Sequence, residues 1–358
     1  MFTQPDFNTY PDKNKKRLKK VAVLILILLA AGYFAFRLGS AYNTVEVNND
    51  ASFWQKIAGI LSFGATVPPD KDYIMPDKED TRFDILLLGI RGEDGPDAKD
   101  AGPLLTDTIM ILSYDKISKR SSLVSLPRDL YVKINKNKKD KINSAYENGV
   151  FSGGGLNFTK ELISKITGVY IDKAVVINFS SFEKIIDEIG GIDITLTKPF
   201  EESGQWGYDF KLPAGVNRLN GQDALYYASS RYSSNDFDRS RRQQQVIFAV
   251  KDKLANLNFW SNPIQTITAL NAVRKSVDTD LNIWNTGDLL GLAKEINDSA
   301  KITKHVISTE NLVYESKENG IYTLLPVGDN FDRFKQFFKN IFQDNPLQSI
   351  NPSPLSDN

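Results

Sequence analysis

The chain has 358 residues, 41% of them hydrophobic and 25% charged, enough apolar material for one large core or two smaller ones and too much for a disordered chain. Its 44 basic and 44 acidic residues cancel, which removes the electrostatic case for nucleic-acid binding and leaves any anion site to a local cluster. Cysteine is absent, excluding disulfides, thiol nucleophiles and thiolate metal sites; the single histidine, His305, sits in the alternating run Ile302 to Ile307 and reads as an ordinary strand residue, against a Ser-His-Asp hydrolase.

The N-terminus carries six Lys/Arg within Lys13 to Lys20, then an apolar run from Val21 to Phe36. A basic flank ahead of such a run predicts a cytoplasmic tail over 1–20 and a transmembrane anchor over 21–42, with the remainder outside the membrane. Cleavage after Gly39-Ser40-Ala41 is the competing reading, and it exports the same residues. Residues 43–81, with Val67-Pro68-Pro69-Asp70, read as a stalk.

The folded part is expected from Arg82. Phe83 to Ile90 is a buried strand opening into a glycine-rich loop, and strands at Thr108 to Tyr114 and Ser121 to Leu126 follow at hairpin spacing. Leu156, Leu162, Ile163 and Ile166 mark a helix that stops at Gly168. Ala174 to Phe179 is the next strand, Phe182 to Ile189 a helix stopped by Gly190-Gly191, and Ile192 to Leu196 a strand. A helix from Gly221 breaks near Ser233-Ser234-Asn235 and restarts, with Asp236 as N-cap, to about Asn256. This alternation predicts an α/β fold, three-layer-like, with a central mixed β-sheet flanked by helices. It sets a main domain over 82–256, a sheet extension or accessory domain over 257–342 and a frayed tail over 343–358.

Arginine is scarce, yet Arg231, Arg239, Arg241 and Arg242 fall within twelve positions. Guanidinium suits bidentate phosphate recognition, whereas lysine serves a solvated face equally well; a charged surface helix is the bland alternative. Arg239, Gln243, Ile247, Val250 and Leu254 recur at helical spacing, so the apolar end of the stripe packs inward and aims Arg239 and Gln243 the same way. Arg241 and Arg242 project elsewhere. Arg128 and Asp129 lie just past the strand Ser121 to Leu126, where α/β sheets tend to bind ligands, although a local Arg-Asp turn pair fits equally. Asp107 precedes an apolar strand and suits a hard cation such as Mg²⁺, or is an Asx-turn residue. The loop Gly89 to Gly95 lacks a P-loop lysine and carries Arg91, Glu93 and Asp94.

Taken together, these segments resemble the LytR-CpsA-Psr family of cell-wall glycopolymer ligases. The resemblance rests on Asp84-Ile85-Leu86-Leu87-Leu88-Gly89, Leu105-Thr106-Asp107-Thr108, Ser125 to Val132, Lys141-Ile142-Asn143-Ser144-Ala145-Tyr146, Asp187 to Ile192, and Asp236-Phe237-Asp238-Arg239 through Gln244, in the family's order. It implies a membrane-anchored extracytoplasmic phosphotransferase that moves a glycopolymer phosphate from a polyprenyl-diphosphate carrier to a peptidoglycan hydroxyl with Mg²⁺ or Mn²⁺. It further implies Arg128 and Arg239 as catalytic residues, Arg231 and Gln243 as substrate-binding residues and Asp107 as the metal-linked aspartate. Asp129, which orients the incoming sugar hydroxyl or simply holds Arg128, joins the expected catalytic set, and Arg91 the expected substrate-binding set. Two positions depart from the pattern: Ser229 replaces the first arginine of an Arg-x-Arg pair, and Arg91 replaces an aspartate, with Glu93 or Asp94 as substitutes for the lost carboxylate. The alternatives are a polyprenyl-diphosphate diphosphatase and a non-catalytic lipid-carrier or wall-binding module. Leu162, Ile166, Phe182 and Ile186 are expected to feed a channel for the prenyl chain, with ordinary core as the other reading.

Overall fold

The computed structural model describes residues 74–92, 102–135, 138–231, 234–256, 271, 277–281 and 301–348. The segments read as tail and anchor, and most of the stalk, lie outside them. Among the described residues no helix is long and apolar enough to cross a membrane.

A six-stranded mixed sheet organises the domain. Strand β1 (Arg82–Ile90) pairs antiparallel with β2 (Thr106–Asp115), which pairs antiparallel with β3 (Arg120–Ser125). On the other side, β1 runs parallel to β6 (Lys173–Asn178). Before β6 come a hairpin of β4 (Tyr131–Asn135) and β5 (Lys138–Lys141), then helices α1 (Ala145–Phe151) and α2 (Gly155–Thr167). Helix α3 (Phe179–Glu188), strand β7 (Ile192–Leu196), short strands β8 (Phe200–Glu202) and β9 (Phe210–Leu212), and β10 (Gly215–Leu219), which pairs with β7, follow. Next are α4 (Gly221–Ser229) and the long α5 (Asp236–Asn256). Strands β11 (Val277–Thr279) and β12 (Lys301–Val306) close the two sheet edges against β6 and β3, so residues beyond 256 extend the central sheet. A hairpin of β13 (Val313–Glu318) and β14 (Ile321–Pro326) and helix α6 (Asp332–Lys339) complete the described chain.

The expected punctuation operates. Gly168 ends α2 in the left-handed region, and Asn178 caps α3 by accepting the Ser181 amide. At the start of α5 the cap is Asn235, which accepts the Asp238 amide at 2.8 Å, rather than Asp236; an Asn one position earlier supplies the same oxygen and releases Asp236 for another task.

Side-chain alternation gives the sheet two unlike faces. Leu86, Leu88, Ala174, Val176 and Val124 point into a closed core with Leu162, Ile163 and Ile166 of α2 and the fully buried Phe334, Phe337 and Phe338 of α6. His305 belongs to this side, edge-on to Phe337 at 5.4 Å, and burial lowers its pKa, as befits a strand histidine. Leu162 and Ile166 therefore cannot feed a channel with Phe182 and Ile186: α2 packs on one sheet face and α3 on the other. Helical periodicity shows which face of α2 is apolar, but not which side of the sheet it covers.

On the second face, α3, α4 and α5 build a smaller cluster of their own, with Ile186, Ile192, Tyr226, Tyr227 and Val246. Gly221 lets α4 start against α3, because a Cβ there would stand 2.3 Å from the Glu183 carbonyl oxygen. Tyr226 stacks on Phe210 at 4.5 Å and receives the edge of Trp206 at 5.0 Å. This wall stands away from the sheet, and Leu87, Val175 and Ile177 remain only half-buried behind it.

Candidate active site

The gap between this wall and the sheet is a cavity of about 350 Å³. Its depth is apolar, with Val175 and Ile177 of β6, Phe182 and Ile186 of α3, and Ile247 and Val250 of α5. Its polar lining includes Arg91, Asp107, Arg231, Arg239 and Gln243. Leu254, the last residue of the α5 stripe, is instead 42% exposed and outside the lining.

Each polar residue is delivered by the end of an element. Arg91 follows β1, Asp107 lies near the start of β2, and Arg128 and Asp129 follow β3, the neighbouring strand. Arg239 occupies the first turn of α5, with Gln243 one turn on. Gln244 aligns this helix with the sheet by donating to Ser125 Oγ and to the His305 carbonyl, both at 2.8 Å. Because Ser125 ends β3, the same contact ties Arg239 to the loop that carries Arg128.

Asp107 is the centre of the charge cluster. Arg128 Nη1 donates to its Oδ1 at 2.5 Å, Arg91 Nη2 lies 3.6 Å from Oδ2, and Arg239 Nη2 donates to its backbone carbonyl at 3.1 Å. Burial pushes the Asp107 carboxyl up, but the fields of Arg128, Arg239 and Arg91 outweigh it and hold the group below the ordinary carboxylate range. Arg239 is itself 4% exposed; burial, together with repulsion from Arg128 and Arg231, lowers its pKa despite Asp236 at 2.8 Å. The buried Nε atoms of Arg128 and Arg239 have no hydrogen-bond partner; Arg128 Nε still faces Asp236 at 3.5 Å and Asp129 at 3.7 Å, whereas Arg239 Nε, on a residue that lines the cavity, is a donor open to a ligand acceptor.

All seven residues singled out from sequence fall in this neighbourhood, on two sides of it. Arg91, Asp107, Arg231, Arg239 and Gln243 line the cavity; Arg128 and Asp129 stand behind Asp107, outside the lining. Arg231 is exposed at the start of the α4–α5 connection, where its backbone amide donates to Gln205 at 2.9 Å. Ser229 also lines the cavity. Glu93 and Asp94 lie outside the described residues.

Arg241 is exposed and paired with Asp238, as helix phase suggests. Arg242 does not project to solvent: it is 8% exposed, donates to the carbonyls of Tyr227 and Ser230 and lies 5.1 Å from the Phe200 ring, so it fastens the end of α4. Two contributors were missed. Asp236 bridges Arg239 and, at 3.5 Å, Arg128, which its reading as a helix cap concealed. Lys141 grips Asp129 at 2.6 Å, and only its presence in the Lys141 to Tyr146 segment hinted at a role. Among the described residues the cluster thus gathers five cations (Arg91, Arg128, Lys141, Arg231 and Arg239) around three carboxylates (Asp107, Asp129 and Asp236), an excess of positive charge suited to an anion.

Solved structures share this architecture. A crystal structure of Bacillus subtilis TagV superposes with a TM-score of 0.58 at 26% identity, covering 73% of this chain and 97% of that one. Among curated proteins, the Bacillus licheniformis polyisoprenyl-teichoic acid–peptidoglycan teichoic acid transferase TagU is 28% identical over 86% of this chain and 92% of its own length. The Staphylococcus aureus regulatory protein MsrR is 33% identical over 62% of this chain and 64% of its own. The profile of the LytR_cpsA_psr family matches residues 56–340, and the chain belongs to the LytR-CpsA-Psr family.

Proposed function

We propose that the protein is a phosphotransferase that moves a glycopolymer, with its linking phosphate, from a polyprenyl-diphosphate carrier to a hydroxyl of peptidoglycan. The observation that carries this reading is the junction of an apolar cavity with an arginine cluster holding an excess of positive charge. A prenyl diphosphate is apolar at one end and doubly anionic at the other, which is the complement of that junction. The names of the TagU relatives point to an anionic wall polymer of the teichoic-acid kind as cargo.

In this reading the prenyl chain lies among Ile177, Phe182 and Ile247, and the diphosphate sits against Arg91, Arg231, Arg239 and Gln243. The acceptor oxygen attacks the phosphorus that bears the glycan, and the bond from that phosphorus to the bridging oxygen breaks. Polyprenyl phosphate leaves with the electron pair. Fixed guanidinium groups stabilise the charge as it moves, which is most of what phosphoryl transfer asks of a protein. Lys141 occupies Asp129 Oδ1 at 2.6 Å, leaving Oδ2, 3.7 Å from Arg128 Nε, to take the hydroxyl proton.

A divalent cation fits here as a companion of the substrate. Among the described residues Asp107 is the one carboxylate in the cavity lining, its two oxygens already face Arg128 and Arg91, and no cluster of three or more acidic or histidine ligands occurs. Mg²⁺ at phosphate sites commonly takes one carboxylate and completes its shell from phosphate oxygens and water, so Asp107 would hold Mg²⁺ or Mn²⁺ that arrives with the diphosphate. When bound, the ion adds to the neutralisation of the diphosphate. The basic and apolar N-terminus supports a single-span membrane location with the site outside, where both carrier and wall are within reach.

The test is to incubate the full chain in detergent micelles with a polyprenyl-diphosphate-linked glycan, Mg²⁺ and peptidoglycan fragments. Phosphodiester-linked product is expected, with Arg128→Ala and Arg239→Ala strongly impaired. Release of glycan phosphate to water with no linked product would replace the transferase reading with a diphosphatase, and tight carrier binding without turnover would replace it with a binding module.

A further inference from the structure

The cavity occupies one side of the Asp107–Arg128 pair, and different residues build the other. There Asp129 and Lys141 meet the β13–β14 hairpin: the Leu324 amide donates to the Asp129 carbonyl at 2.9 Å, and Leu130 bridges to Leu324. The hairpin turns through Asn319 and Gly320, both at positive φ, a two-residue loop that fixes its register as Glu318 opposite Ile321 and Lys317 opposite Tyr322. Tyr322 and Leu324 share a face by the two-residue period of the strand. Leu324 is buried in the core, whereas Tyr322 overhangs it and is 40% exposed.

An exposed tyrosine alone asks for no explanation. Tyr322 differs in its company. The Lys141 ammonium that grips Asp129 lies 6.0 Å from its ring centroid, and its hydroxyl donates to Glu315 Oε1 at 3.3 Å. Burial and Glu315, with smaller contributions from Asp129 and Asp236, push the phenol up to about 12, so it stays a donor at neutral pH. A flat ring edged by a carboxylate and an ammonium matches a pyranose, which has an apolar C–H face and a rim of hydroxyls.

Reaction geometry points the same way. Transfer at phosphorus runs in line, with the attacking oxygen opposite the leaving group. If the departing prenyl phosphate belongs to the cavity, the acceptor must approach from the side of Arg128 and Asp129, where the hairpin stands. We propose that Tyr322, with Glu315 and Lys141, is the acceptor subsite: a pyranose of the glycan strand stacks on the ring, its hydroxyls bond Glu315 and Lys141, and one hydroxyl is presented to Asp129. The assignment rests on the transferase reading, since it takes the acceptor to be a sugar.

The full chain in detergent micelles is titrated with a soluble β-1,4-linked N-acetylglucosamine tetrasaccharide, followed by saturation-transfer NMR. Saturable binding is expected, weakened about tenfold or more in Tyr322→Ala and kept within about twofold in Tyr322→Phe, which retains the ring. No saturable binding, or equal affinities of the native chain and Tyr322→Ala, overturns the subsite. Geranylgeranyl diphosphate, titrated into the same samples, reports separately on the donor: if it fails to bind while the saccharide binds, the transferase reading falls and the sugar site stands.

Discussion

The two faces of the central sheet are made from the same strands and nearly the same residue types, yet one is closed and the other hollow. Val176 and Ile177 are neighbours in β6; the first is 3% exposed beneath a packed core, and the second lines the cavity. The difference lies in what covers them. Three phenylalanines of α6 and the apolar stripe of α2 fill one side, whereas α3, α4 and α5 satisfy much of their own apolar surface among themselves and stand off the sheet. One face supplies stability, and the other forgoes some of it to keep room for a ligand.

That contrast can be broken from either side. The largest effect is expected from Phe337→Ala, which opens a hole in the packed face and should cost about 3–5 kcal/mol of stability, read from the denaturant midpoint. Arg239→Ala should slow transfer by about 10²–10³-fold while moving that midpoint far less, since it removes a buried charge aimed at the ligand. Enlarging adjacent residues of β6 sharpens the comparison. Val176→Phe should overpack the closed core and cost about 1–3 kcal/mol, whereas Ile177→Phe should leave stability within about 1 kcal/mol and raise the KM for the prenyl donor, because its ring enters existing space.

The smallest effect concerns pH. Asp107 is held below its ordinary range, so the folded state releases this proton more readily than the unfolded chain. Its stabilising contribution is complete above the ordinary carboxylate pKa and is lost as pH falls through the depressed value. Stability should stay level with respect to this group from neutral pH down to about pH 4 and decline below it, and Asp107→Asn should remove that acid limb, read from the denaturant midpoint as a function of pH.

Much of this was legible in the sequence because it is written locally. The strands that begin at Arg82, Thr106 and Lys173 appear as apolar runs bounded by glycine and polar residues, and α2 and α3 end at the glycines that mark them. Helix phase picked Arg239 and Gln243 from an arginine-rich stretch, and both line the cavity. What stayed hidden depends on contacts distant in sequence. The side of the sheet taken by α2, the fastening of α4 by Arg242, the grip of Lys141 on Asp129 and the approach of the β13–β14 hairpin to Asp129 follow from tertiary packing, which no window of periodicity contains.

The most direct test of the hollow face is photoaffinity labelling of the full chain with a prenyl diphosphate carrying a diazirine on its tail. Labelled peptides are expected from β6, α3 and α5, around Ile177, Phe182 and Ile247, with labelling lost in competition with unmodified prenyl diphosphate. Competable labelling of α2 or α6 instead would place the lipid on the packed face and contradict the account.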